Sequence, residues 1–171
     1  MSSSSLVDSD RSTYQQFLRF QLQPNLMALI EIELVTELVN ILVDRVVPMP
    51  HLPSAVMGVY NWRGEILWIV DLAMLLGCGS PRRYRSLQPT MILTSNLNSE
   101  DRQQKTIGFV VDEIAELELC DLDLIESPLP DNIYPEFSDW ARGLWSSTTG
   151  ESFLVLNGAT ILDRASFHAD V

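Results

Sequence analysis

The sequence predicts an all-β protein with short helices, built from two related β-modules. Three observations carry this expectation. Short apolar runs rich in Val and Ile recur along the chain, as in Ile66 to Val70 and Ile107 to Val111, and β-branched residues suit a pleated, half-buried surface. Gly and Pro punctuate these runs at short intervals and mark turns. Finally, the chain repeats itself. Ile32-Glu33 and Val35-Thr36-Glu37-Leu38 match Val111-Asp112 and Ile114-Ala115-Glu116-Leu117 at one fixed offset. Gly64-Glu65 followed by Leu67 to Asp71 matches Gly150-Glu151 followed by Phe153 to Asn157 at a second offset, which Leu75-Leu76 and Ile161-Leu162 share. A longer loop in the later half accounts for the change. The spacing is too long for a solenoid, whose repeats run about 20–50 residues.

In chain order, residues 1–13 read as a disordered polar tail of Ser, Asp and Arg, which bury nothing. Residues 17–22 alternate in part and suggest a strand ending near Pro24-Asn25. The stretch 26–43 is ambiguous. Leu26, Leu29, Ile30, Leu34, Leu38, Ile41 and Leu42 fit a helical face, while its Ile and Val content fits strands. Pro48, Pro50 and Pro53 break any regular element. Ser54 suits the cap of one helical turn ending near Gly58. Val59-Tyr60 and Ile66 to Val70 read as strands around a turn at Asn61 to Gly64. Asp71 suits the cap of a short helix, 72–76, with Gly77 as its stop. A loop over 78–90 carries Arg82, Arg83 and Arg85; strands at 91–94 and 107–111 flank a polar turn at 96–104. Residues 126–139 read as a proline-rich loop and 153–156 as a last strand.

Composition narrows the partners. The formal net charge is -12, from 23 acids against 11 bases, of which Lys105 is the single lysine. Such a chain repels phosphate backbones and anionic lipid surfaces, so neither nucleic acid nor membrane insertion is expected. The apolar stretch 26–43 contains Glu31, Glu33 and Glu37, which argues against a membrane span. The polar start lacks the apolar core of a signal peptide, so a cytoplasmic location is expected.

Catalytic chemistry is not legible. His51 and His168 sit in no nucleophile or metal motif. Cys78 and Cys120 lack Cys-x-x-Cys spacing and read as ordinary buried thiols. Gly77-Cys78-Gly79-Ser80 resembles part of a phosphate loop but lacks the following Gly-Lys-Ser, and a turn is the better reading. Glu118, Asp121 and Asp123 lack the glycine and late glutamate of a calcium loop. No metal and no cofactor are expected. Arg82, Arg83 and Arg85 supply the alternative function, a small-anion-binding regulatory module, set against a solvated loop. Asp139 to Trp145, with two tryptophans around Arg142, reads as core packing or as a partner hot spot.

The segment Gly58 to Leu76 reads Gly-Val-Tyr-Asn-Trp-Arg-Gly-Glu-Ile-Leu-Trp-Ile-Val-Asp-Leu-Ala-Met-Leu-Leu. It resembles the signature of CheW-like domains, Gly-Val-x-Asn-Leu-Arg-Gly, then apolar residues, then Asp-Leu; Trp62 departs where the family usually has leucine. Leu34 to Leu38, Pro50 to Pro53, Ile107 to Asp112, Ala141-Arg142-Gly143 and Phe153 to Leu156 resemble further family segments, so the likeness covers about residues 14–167. The resemblance implies two small five-stranded β-barrels with a hydrophobic seam between them. The halves would run roughly 17–76 and 91–162, able to exchange strands, with a C-terminal tail at 168–171. It resolves 26–43 as strand, short helix, strand.

It also implies a role: a non-catalytic adaptor coupling methyl-accepting chemoreceptors to a CheA-type histidine kinase, with the seam taking the tip of a receptor hairpin. By resemblance, Val35, Glu37, Gly58 and Arg63 match positions used toward the receptor, and Leu38 one on the kinase-facing barrel. The internal repeat separates these residues from the scaffold. Gly64 matches Gly150, and Asp71 matches Asn157, so both read as structural, a turn and a cap. Glu37 has a counterpart in Glu116, which weakens its claim. Arg63 pairs with Thr149, so the turn does not require arginine. Its fork can clamp a partner's carboxylate or form an internal ion pair with Glu37 or Asp71.

Overall fold

The structure, a computed structural model, describes residues 13–79, 83–95 and 104–165. All but the last residue of the expected tail at 1–13, the expected tail at 168–171, Arg82, His168 and most of the 96–104 turn lie outside the described residues. Among the described residues ten strands run in chain order: β1 (Tyr14–Gln23), β2 (Leu26–Glu31), β3 (Val35–Leu42), β4 (Val56–Trp62), β5 (Glu65–Asp71), β6 (Leu87–Thr94), β7 (Thr106–Val110), β8 (Glu113–Asp121), β9 (Ala141–Ser146) and β10 (Ser152–Leu156). Helix α1 (Leu72–Leu75) follows β5 and α2 (Gly158–Ala165) follows β10.

The strands form two five-stranded sheets. One has the order β8-β1-β2-β10-β9 and the other β3-β6-β7-β5-β4. These orders are the same pattern twice. Strands β3, β4 and β5 stand in the second sheet where β8, β9 and β10 stand in the first. Each sheet therefore takes a hairpin from one half of the chain and three strands from the other. Within each sheet the third of the three strands from one half pairs parallel to the hairpin from the other, β10 with β2 and β5 with β7. Continuous pairing leaves each sheet open, and the segment that follows one edge strand meets the other edge strand at an antiparallel bridge. Val47 bridges Val59 in the second sheet, and Glu126 bridges Leu144 in the first.

The ambiguous stretch 26–43 resolves as β2, a 3-10 turn at Ile32–Leu34, and β3. Its helical spacing is overridden because Leu29 and Ile30 each face a different apolar interior on opposite sides of one strand. Two expectations fail locally. Ser54 starts no helical turn; β4 begins at Val56 and Gly58 lies within it. Strand β6 starts at Leu87, inside the expected loop. The long strand β8 was hidden by its exposed glutamates at 113 and 116.

The core has three parts. Phe17, Leu29, Cys120, Trp145, Phe153 and Val155 fill the concave side of the first sheet. Ile41, Leu67, Ile69, Ile92 and Val110 fill that of the second. The largest cluster lies between the sheets, where Phe20, Ala28, Met91, Phe109, Leu154 and Ile161 are fully buried. The seam is thus closed by the chain's own side chains, with α1 and α2 packed into it.

Matched positions carry matched physics in the two halves. Asp71 accepts a hydrogen bond from the Met74 N–H at the start of α1, and Asn157 does the same for Thr160 at the start of α2. Gly58 and Gly143 sit at the two edge bridges. A Cβ on Gly58 would lie 2.1 Å from the Val47 carbonyl oxygen, and one on Gly143 would lie 2.1 Å from that of Glu126.

Candidate functional site

The site is the β4–β5 hairpin and the facing edge of β3. Trp62 pairs with Glu65, which leaves Arg63-Gly64 as a two-residue loop. Both loop residues have positive φ, +52° and +82°, the backbone sense that matches the twist of hairpin strands. Gly64 accepts this freely, and its N–H is fixed by the Asn61 side-chain oxygen at 2.9 Å. Arg63 holds a left-handed conformation that costs a residue with a Cβ about 1 kcal/mol. Asparagine or glycine would fit the turn better.

The repeat comparison with Thr149 does not survive in three dimensions. The β9–β10 connection is five residues long, Ser147 to Glu151, because Ser146 pairs with Ser152. There the Thr149 hydroxyl bonds that of Ser147 at 2.8 Å. Gly150 keeps a positive φ of +87° and is the counterpart of Gly64. Arg63 has no such counterpart.

Arg63 reaches across the open end of the second sheet. Its Nη2 lies 2.8 Å from Oε1 of Glu37, so the two edge strands, β3 and β4, are laced by a charge pair. The Arg63 side chain is nevertheless 69% exposed, against 28% for Glu37. Its guanidinium carbon stands 5.0 Å from the centre of the Trp62 ring. Of the two internal partners considered for Arg63, the structure selects Glu37. Asp71 is fully buried, caps α1 and accepts the Tyr84 hydroxyl at 2.7 Å.

The remaining positions separate. Val35 is half-buried and packs against the seam cluster. Leu38, 43% exposed, points to the face of β3 opposite Glu37. Its repeat counterpart Leu117 is exposed in the same way on β8, the equivalent edge. Gly58 is buried, with a φ of +144° and no room for a side chain. Glu37 and Arg63 are brought together; Gly58 lies at the edge bridge, and Leu38 faces away from the pair.

Other candidates are spent on structure. Arg85, one of the arginines of the 78–90 loop, donates to the Asp112 carbonyl. Glu118 pairs with Arg19 at 2.9 Å and Asp121 accepts from the Asp123 N–H. Among the described residues no cluster of His, Cys, Asp and Glu is arranged to hold a metal. In the 139–145 segment, Trp145 stacks on Phe153 and Arg142 pairs with Glu31. The Cys120 thiol is pushed up to about 11, first by burial and then by the Glu118 carboxylate. Sequence reasoning missed Trp62 as part of the site; its departure from the motif, next to Arg63, was the available signal.

Comparison with known proteins supplies the family. The CheW-like domain family model matches residues 16–166. A chemotaxis protein CheW of Rhizobium meliloti (strain 1021) is 33% identical over 101 residues, 57% of each chain. A probable chemotaxis protein CheW of Rhizobium etli is 31% identical over 99 residues, 56% of each. The aligned region thus spans little more than half the length of these curated relatives. The crystal structure of scaffolding protein TtCheW from Thermoanaerobacter tengcongensis superposes with a TM-score of 0.66 at 20% identity, covering 84% of this chain and 88% of that one, which shows a shared fold. With the family model covering nearly all of the two-sheet unit, the chain belongs to the CheW-like domain family.

Proposed function

We propose that this protein is a non-catalytic, cytoplasmic signalling adaptor that couples methyl-accepting chemoreceptors to a CheA-type histidine kinase in a chemotaxis, twitching-motility or phototaxis pathway. The family and the names of its chemotaxis relatives support the class. The observation that carries the reading is Arg63: an arginine held in a strained turn, paired through one nitrogen, with most of its side chain in solvent. Strained residues of this kind cluster at functional sites. Among the described residues no helix is long and apolar enough to cross a membrane, so contact with a receptor array runs through protein partners.

The receptor tip docks on the surface around Glu37 and Arg63, with Val35 at its border, since the seam is filled. The Arg63 fork gives bidentate capture of a receptor carboxylate. Leu38, on the opposite face of β3, serves the kinase, so one strand carries both contacts. Exposed charge pairs contribute about 0.2–1 kcal/mol each, and an array of many such contacts supplies avidity. Co-purification tests the reading. The wild-type chain is expected to retain a CheA-type kinase and a receptor-tip fragment. Arg63→Ala is expected to lose the receptor fragment with its circular dichroism unchanged. Retention of the receptor by that variant would remove Arg63 from the contact.

A further inference from the structure

We propose that Trp62 is a positioning residue that presents the Arg63 guanidinium to a partner's carboxylate; this rests on the receptor-docking reading of Arg63. Trp62 is the last residue of β4 and half-buried. Its inner side packs against the cluster of Ile41, Leu67, Ile69, Ile92 and Val110, where it plugs the open end of the second sheet. Above it, the Arg63 guanidinium carbon lies 5.0 Å from the ring centre, within cation–π range. From the far edge, Glu37 holds Nη2 at 2.8 Å. A long, rotamer-rich side chain, 69% exposed, is thus fixed at two points before any partner arrives.

Immobilising a free arginine on binding costs affinity, and fixing it beforehand removes that cost. Leucine at position 62 would keep a smaller apolar side chain against the core end of the sheet but offers no π face. The outer face of the tryptophan ring is what is directed toward Arg63. The surface so formed, a flat guanidinium lying on an indole, fits a carboxylate bordered by apolar side chains.

The test has two arms. The first needs no partner. In the wild type, the Arg63 side-chain proton resonances are expected upfield of their positions in Trp62→Leu, with nuclear Overhauser contacts to the indole. Trp62→Phe is expected to keep most of the upfield shift. Identical Arg63 resonances in wild type and Trp62→Leu would overturn the proposal, whether or not any receptor binds. The second arm titrates a chemoreceptor-tip fragment. Trp62→Leu is expected to weaken binding roughly three- to tenfold, Trp62→Phe less than about twofold. In an Arg63→Ala background, Trp62→Leu is expected to have no further effect. Equal losses in both backgrounds would overturn it, because Trp62 would then act independently of Arg63. Failure of the wild type to bind the fragment would sink the docking reading, and the first arm alone would decide whether Trp62 holds Arg63.

Discussion

Arg63 and Glu37 sit at the two opposite edges of one five-stranded sheet, and their side chains meet at 2.8 Å across its open end. The pair adds to a link already made between β4 and the chain beyond β3, the Val47–Val59 bridge. Its contribution to folding is therefore small. Arg63→Asn creates Asn-Gly, the favoured loop for this hairpin, and relieves the strain at +52°. Urea unfolding is expected to show this variant more stable by about 0.5–1 kcal/mol, while receptor-fragment binding falls. A loss of stability above about 1 kcal/mol would instead make Arg63 a structural clamp.

The matched glycines separate close packing from turn freedom. Gly58→Ala and Gly143→Ala place a methyl 2.1 Å from a backbone oxygen, and backbone cannot step aside cheaply. Each is expected to cost about 3 kcal/mol or more. Gly64→Ala meets no atom within 4 Å and suffers only from its φ of +82°, a cost of about 1 kcal/mol. Denaturation midpoints of the three variants, compared at constant m, give the ranking. Equal losses at all three would contradict it.

The two caps differ in burden. Asp71 is fully buried and serves both the Met74 N–H and the Tyr84 hydroxyl. Asn157 serves Thr160 at a half-buried site. Asp71→Ala is expected to cost about 2–4 kcal/mol and Asn157→Ala about 1 kcal/mol. Tyr84→Phe, which removes one hydroxyl donor, is expected to cost about 1 kcal/mol. Thermal unfolding of the three variants tests the order.

Cys120 gives the fold an alkaline limit. Its thiol ionises near 11 in the folded chain against an ordinary 9.0. Well below pH 9 the thiol is protonated in both states and makes no pH-dependent contribution to stability. Between about 9 and 11 the unfolded chain loses the proton first, so stability falls as pH rises. Cys120→Ser or Cys120→Ala is expected to flatten that window of a stability–pH curve. Half-buried Cys78 is expected to alkylate with iodoacetamide well before Cys120.

Much of this was legible in the residues. The turn at Gly64, the cap at Asp71 and the repeat were readable because each rests on local chemistry: a positive φ, a carboxylate three residues before an amide, an alternation of apolar side chains. Residues 26–43 resisted because Leu and Ile at helical spacing also satisfy a strand whose two faces are both buried, as Leu29 and Ile30 show. Strand β8 was masked by glutamates on an edge, where water rather than core takes half the side chains. The Gly58–Val47 and Gly143–Glu126 contacts join segments distant in the chain, and no local pattern announces them. The Arg63–Glu37 pair was one of three open options for Arg63 until the curl of the sheet brought the two edges together.

One small chain is expected to hold two partners at once through opposite faces of β3. The most direct measurement is analytical ultracentrifugation of the protein with a chemoreceptor-tip fragment and the regulatory domain of a CheA-type kinase, singly and together. A ternary species is expected at micromolar concentrations, reduced to the kinase complex by Arg63→Ala and to the receptor complex by Leu38→Asp. Absence of binding to both partners by the folded wild-type protein, or mutually exclusive binding of the two, would contradict it.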